Sequence, residues 1–502
     1  MDRACHSPHA PLDGALEGCY SARAMQRRSV AARSDRAPNI LLIMSDEHGA
    51  MFSGCYGHPL VETPALDALA RRGVLFEHAY CNVPLCVPSH MSFMTGRYVH
   101  HIATWDNSSP LPSNAVTWAH CLAAAGYEIV LDGKMHFVGP DQLHGFARQI
   151  GIDLHAQQHH ALANWDAGLR KAPQPWPGVR RAGPGTTREI EVDDLVTERA
   201  LEFLRNPARR AHSWALCVGF IAPHFPFIVP EPYFSRYYPE RTDLPGLPPA
   251  RRLQVALGTT GYSEDEIRRA RAAYYGLITY LDDKIGRLLA CLEEQGLVEQ
   301  TVEIYTSDHG ELAGEHGLWR KMSFYEQSAR VPLIVSWPGV FPAGMRRHEV
   351  VSLVDLTATL LELAVAWPPE VVQGVPALDG VSLLPLLTVG PAEPVHWKDE
   401  AFCELEAHGT DRPLAMLRRG RWKLCYAPGA HPSDPPELEL YDLESDPGEF
   451  KNLAGDARFA DVQRALLARL WQEWDPWQVW AAVLQSQRSR RIIERARAGA
   501  MR

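Results

Sequence analysis

The sequence predicts an α/β protein: one mostly parallel central sheet with helices on both faces, followed by a smaller C-terminal antiparallel-sheet subdomain. Three observations carry that expectation. Apolar runs of strand length end abruptly in polar residues, and these runs alternate with helix-length segments closed by glycine. From about Val395 the pattern changes to period-two alternation between Pro, Gly and Asp turns.

"NILLIMS" (Asn39 to Ser45) is a continuous apolar run that delivers "DEH" at its carboxyl end, where ligands of open α/β sheets collect. Thr63 caps a helix with Pro64 at its first position, Leu66, Leu69 and Ala70 supply its buried face, and Gly73 ends it. "VLFEHAY" is the next strand, and Cys86 opens a helix in "CVPSHMSFMTG". Val116 to Gly126 predicts a helix, and "YEIVLDGKMHF" a strand ending at Lys134 and His136. "SWALCVGFIAPHFPF" runs into His224. A long helix from Glu264 to Gly296 precedes a strand over Val302 to Thr306 that ends at Asp308 and His309. "VSLVDLTATLLELAVAW" from Val351 carries Asp355 and Glu362, which makes it an amphipathic core helix and not a membrane span. The chain divides into an N-terminal extension expected to be disordered (1–36), a catalytic unit (37–394), the C-terminal subdomain (395–470) and a helical tail (471–502), aromatic first and then arginine-rich.

With 60 acidic and 50 basic side chains, the net charge of -10 argues against non-specific nucleic-acid binding through the whole surface and leaves room only for a local basic patch, so no nucleic-acid partner is expected. No bilayer-spanning segment or secretory h-region is found, so cytoplasmic residence without a membrane partner is expected. Ten cysteines without paired spacing read as free thiols, not a disulfide framework.

Taken singly, an Asp at a strand end serves as a turn or cap as readily as a ligand. Convergence raises the odds. Asp46, Asp308 and His309 fall at the same sheet edge, and two carboxylates with an imidazole suit a divalent cation such as Ca²⁺, Mn²⁺ or Mg²⁺. Cys86, at a helix amino terminus, is either a buried thiol or a nucleophile. His155 and His159 have the i, i+4 spacing of a metal pair, but no acidic residue lies between them and their polar neighbours read as solvated surface.

"ILLIMSDE", "CVPSHMSFMTGRY", "LDGKMHFVGPDQLHGF", "FIAPHFPF" and "YTSDHGELAGEHGLWRKMSFYEQSARVPLIV", in that order, resemble the sulfatases of the alkaline-phosphatase superfamily over roughly residues 37 to 470. Choline sulfatases are the nearest in pattern, then phosphonate monoester hydrolases. The resemblance implies hydrolysis of sulfate esters by a formylglycine made from Cys86, whose hydrate is the nucleophile. It implies one divalent cation on Asp46, Asp308 and His309 with residue 86 beside it, and Glu47 where relatives carry a further ligand. Lys134 and Lys321 would neutralise sulfuryl oxygens, His224 would protonate the leaving alcohol, and His136 would take a proton from the second hydroxyl.

The family pattern has Arg where this chain has His90, and that Arg belongs to the signal read by the formylglycine-generating enzyme, a partner the modification requires. A retained Cys86 thiol would form an S-sulfonate that has no second hydroxyl to expel it. Two alternatives therefore stand beside the sulfatase: a phosphonate or phosphate ester hydrolase using the same site, and a protein that binds a sulfated ligand without turnover.

For the alcohol portion of the substrate, Trp165 and Glu404 are candidate contacts to a quaternary ammonium, as are Trp471, Trp474, Trp477 and Trp480, although most of these tryptophans suit core packing. The tail is expected to dock on a neighbouring subunit of a homo-oligomer.

Overall fold

Strand Asn39–Asp46 lies near the middle of a nine-stranded sheet, fully buried. It pairs in parallel with Thr301–Ser307 on one side and Trp214–Pro223 on the other, and the latter pairs in parallel with Glu128–Gly133. Four adjacent strands thus point the same way and end at one edge. Beyond Thr301–Ser307 the sheet becomes mixed: Leu333–Ser336 is antiparallel to it and to Val74–Tyr80, and Met345–Ser352 pairs in parallel with Val74–Tyr80. The computed structural model describes residues 37–156, 164–167, 176–246, 257–258, 261–364, 375–390 and 395–500; the expected N-terminal extension and His159 lie outside them.

The central strand is apolar on both faces because each face meets its own core. Ile40, Leu42 and Met44 join a core with helices Cys86–Thr95, Trp118–Ala124 and Leu353–Leu363. Leu41 and Ile43 join another with helices Pro64–Arg72, Arg188–Arg205 and Glu264–Glu294. Burying such a strand on both faces contributes roughly 1.5–3 kcal/mol per large side chain.

Two elements differ from expectation for local reasons. The helix expected from Val116 begins at Trp118, because the Thr117 hydroxyl accepts the His120 N–H and fixes the start. The apolar run from Val351 is divided: Val351 and Ser352 complete a strand, and the helix starts at Leu353 after the Ser352 N–H donates to the Asp355 carboxylate at 2.9 Å.

Strands Glu400–Leu405, Leu414–Arg419, Trp422–Ala427 and Glu437–Asp442 form a separate antiparallel meander. Helix Ala460–Glu473 follows, and Pro476 opens a last helix to Ala500. That helix, expected to seat on a neighbouring subunit, packs on its own chain. Gln487 accepts the Trp165 N–H, and Arg490 forms two bonds of 2.6 and 2.8 Å to the buried Asp106 carboxylate. Among the described residues no helix is long and apolar enough to cross a membrane, and the eight cysteines are free thiols.

Candidate functional site

The shared edge of the four parallel strands gathers the polar residues that end them. Asp46 ends the central strand, Asp308 and His309 follow Thr301–Ser307, His224 follows Trp214–Pro223, and Lys134 and His136 follow Glu128–Gly133. The Lys134 N–H donates to Gly219 O at 2.9 Å, and a Cβ at Gly219 would fall 1.8 Å from Lys134 O. Only a glycine lets the two backbones approach so closely. Helix Cys86–Thr95 supplies the other wall, anchored where the Ser89 hydroxyl donates to Asp308 O at 2.6 Å and the Val87 N–H donates to Asn107 Oδ1 at 3.0 Å.

Asp46, Cys86, Asp308 and His309 each turn one ligand atom into a common space, all within 4.8 Å of one another, and all four residues are buried. Cys86 Sγ lies 3.2 Å from His309 Nε2 and 3.9 Å from the Asp46 carboxylate. His309 Nδ1 faces Gly310 O at 3.1 Å, which leaves Nε2 turned to the cluster. Asp308 Oδ1 accepts the N–H groups of Glu47 and His309, whereas Oδ2 is shielded from solvent and makes no aligned hydrogen bond among the described residues, with His90 Nε2 at 3.3 Å and His309 Nε2 at 3.4 Å as its ionic neighbours. Two buried carboxylates beside an oriented imidazole, converging on one space, fit a hard divalent cation.

A second layer of charge surrounds this group. Lys134 pairs with Asp46, Lys321 Nζ lies 2.9 Å from Glu47 Oε2, and His224 Nε2 lies 3.2 Å from the same oxygen. Glu47 adopts φ 70, a left-handed conformation held by the Tyr274 hydroxyl, which donates to its carbonyl at 2.8 Å.

The two metal-type carboxylates are driven apart electrostatically. Burial and the neighbouring Asp308 raise Asp46 to about 6. Burial would raise Asp308 as well, but His309, His90 and Lys134 together hold it well below the usual range. Burial opposes charge on His309, yet Asp308 and Cys86 outweigh it and bring the imidazole up to about 10, so a cation bound there must displace a proton. Burial, with Lys321 and Lys134 nearby, holds His224 well below its ordinary value.

The remaining predicted residues distribute as follows. His136, at φ 56, has its N–H on Asp153 Oδ2 at 2.6 Å, and its ring stacks on His155 at 5.2 Å. His90 borders Asp308. Trp165 is held by the C-terminal sheet unit and the tail, with its indole N–H on Thr410 O at 2.6 Å and its ring 5.8 Å from Trp480. Glu404 is turned elsewhere: fully buried, it is bonded to His100 at 3.0 Å. Trp474 packs in the core.

Two site residues escaped the sequence reading. His155 is buried, not solvated, and its ring lies 5.2 Å from His136 and 5.4 Å from His224, between the two. Glu311 is buried, and burial together with Glu47 pushes its carboxyl well above the ordinary value. The only signal for Glu311 was its place in "SDHGE"; for His155 there was Asp153, whose carboxylate accepts the N–H groups of Met135, His136 and His155.

The sulfatase family model matches residues 38–366, and a model described as N-sulphoglucosamine sulphohydrolase, C-terminal, matches 314–475. The choline-sulfatase of Rhizobium meliloti (strain 1021) is 35% identical over 494 residues, covering 91% of each chain. Arylsulfatase K of Bos taurus is 30% identical, covering 89% of this chain and 83% of the relative. Among solved structures, the phosphonate monoester hydrolase of Agrobacterium radiobacter superposes with a TM-score of 0.70 at 26% identity, covering 87% of this chain and 95% of that one.

Proposed function

The chain belongs to the sulfatase family, whose members hydrolyse sulfate esters, and on that premise we propose that it cleaves a small sulfate monoester with a formylglycine formed from Cys86 as the nucleophile. The observation that carries this reading is the convergence of Asp46, Cys86, Asp308 and His309 within 4.8 Å. A divalent cation held by Asp46, Asp308 and His309 would polarise a sulfuryl oxygen and acidify a hydroxyl on residue 86; the donor set suits Ca²⁺, Mn²⁺ or Mg²⁺.

This chain's own residues do the rest. Burial disfavours charge on Lys134 and Lys321, yet the acids and Cys86 around them raise both pKa values and keep both ammonium groups charged for the non-bridging oxygens. His224 is neutral when the site is empty; an entering sulfate monoanion offsets the two lysines and lets Nε2 hold the proton that the leaving alkoxide requires. His136 takes the proton that frees residue 86 of sulfate, and His155, stacked against it, limits its ring to one face. The site is shielded from water by the fold itself, since every one of these side chains is at least nine-tenths buried.

The ester is proposed to be choline sulfate or a related alkyl or aryl sulfate. Homo-oligomerisation would use Ile492 and Ile493, exposed on the final helix. A second reading, phosphonate or phosphate ester hydrolysis, is favoured by one feature: His90, not Arg, stands beside Asp308, and an unmodified Cys86 thiolate can carry a phosphoryl group.

Steady-state rates with choline sulfate, an aryl sulfate and a phenyl phosphonate monoester test the reading. Sulfate ester turnover should exceed the phosphonate rate and vanish in Cys86→Ala. Preference for the phosphonate would transfer the assignment to the second reading, and full sulfatase activity in Cys86→Ala would refute both.

A further inference from the structure

At the far end of the Cys86 helix, ten residues and so about 15 Å from the cysteine, two histidines and a carboxylate converge. His100, His101 and Glu473 each offer a ligand atom, all within 4.8 Å of one another. They come from distant parts of the chain: the histidines from the one-turn helix Val99–Ile102, and Glu473 from the last residue of helix Ala460–Glu473.

The surroundings are built as those of metal-binding histidines are. His100 Nδ1 is 3.0 Å from Glu404 Oε2, and His101 Nδ1 is 2.8 Å from Asp379 Oδ2. A carboxylate on Nδ1 fixes the tautomer and leaves Nε2 as the available nitrogen of each ring. The His100 side chain is 9% exposed, and its Nε2 is shielded from solvent with no hydrogen-bond partner among the described residues. A buried ring nitrogen without a partner requires an explanation. The two rings lie with centroids 4.1 Å apart, where two imidazolium ions would repel. Glu473 adds its charge at a helix carboxyl end, which itself favours cations. Arg469 holds one Glu473 oxygen at 3.3 Å and also bonds Glu400 at 2.7 Å, so it can orient the carboxylate.

We propose that His100, His101 and Glu473 form a second metal site that takes Zn²⁺, with water as fourth ligand, and that the ion fastens helix Ala460–Glu473 to the catalytic unit. Two imidazoles and one carboxylate are a borderline-soft donor set that suits zinc, unlike the oxygen-rich set around Asp308. Glu404 and Asp379 serve as the outer carboxylates. The site therefore joins the Cys86 helix region, the C-terminal sheet and the helix after it. Its role is structural, at a distance from the chemistry.

The test is zinc stoichiometry by elemental mass spectrometry on tag-free, full-length protein dialysed against Zn²⁺, for wild type, His101→Ala, Glu473→Gln and Asp308→Ala. His101 is partly exposed, so its truncation leaves the core intact. The expected result is about one equivalent of zinc fewer in His101→Ala and Glu473→Gln than in wild type, with that equivalent retained in Asp308→Ala. Zinc should also raise the melting temperature of wild type but not of His101→Ala. Equal zinc content in wild type, His101→Ala and Glu473→Gln, or an equal rise in melting temperature, would overturn the proposal.

Discussion

Two clusters of buried charge are fed by one loop. Lys321 enters the strand-end cluster around Asp46 and Asp308, while five residues later Glu326 enters a cluster at the seam with the C-terminal sheet. There Lys423 Nζ lies 3.0 Å from Glu326 and 2.7 Å from Glu449, and the Tyr80 hydroxyl donates to Glu326 at 2.9 Å. Arg418 in turn donates to the Tyr80 oxygen at 3.0 Å. At the seam a buried lysine is matched by carboxylates of the protein itself. At the strand ends Lys134 and Lys321 are matched by Asp46 and Glu47 as well, but Asp46, Asp308 and His309 also converge with Cys86 within 4.8 Å. Carboxylates and cations alone specify how two sheets join; a group that adds an imidazole and residue 86 offers donors to an ion.

Substitution separates the two. Asp308→Ala should remove the bound cation and lower kcat/KM by about 10³-fold, with the unfolding midpoint little changed; metal analysis and an ester assay on the same sample read both. Lys423→Met should do the reverse. Leaving Glu326 and Glu449 buried without their cation costs about 3–5 kcal/mol, measured by urea unfolding, while turnover per folded molecule is retained. Exchange of those two outcomes would break the contrast.

A smaller effect sharpens it. Asp106 and Arg490 form a single buried pair that fastens the last helix beside Asn107, the residue that accepts the Val87 N–H. Burial would raise the Asp106 carboxyl, but Arg490 and the Ser108 and Ser109 donors hold it below 3.8. Because the folded value lies below the unfolded one, the stabilisation is present above 3.8 and is lost as the pH falls through the lower folded value. Arg490→Ala should cost about 1–3 kcal/mol at neutral pH, and its unfolding midpoint should approach that of wild type in acid.

The strand-end cluster was legible because a buried parallel strand writes itself as an apolar run with a polar terminus, so Asp46, Asp308, His224 and Lys134 could be assigned to one edge before their pairing was known. The meander after Val395 was legible through its period of two. The seam was not: Glu326 and Lys423 are 97 residues apart, and neither carries a local signal for the other. His155 was read as surface because its neighbours in sequence are polar, whereas Asp153 folds the segment inward. The tail's docking on its own chain rests on Arg490 meeting Asp106, 384 residues earlier. Glu404, read as a ligand contact, is turned toward His100 by a pairing across more than 300 positions.

The central claim is that residue 86 works as formylglycine within the Asp46, Asp308 and His309 group. Mass spectrometry of the tryptic peptide Gly73 to Arg97, from protein purified from its native host, tests it most directly. The account predicts an aldehyde at position 86 despite His90 in place of the family's Arg. An unmodified cysteine throughout a preparation that still hydrolyses sulfate esters would contradict it.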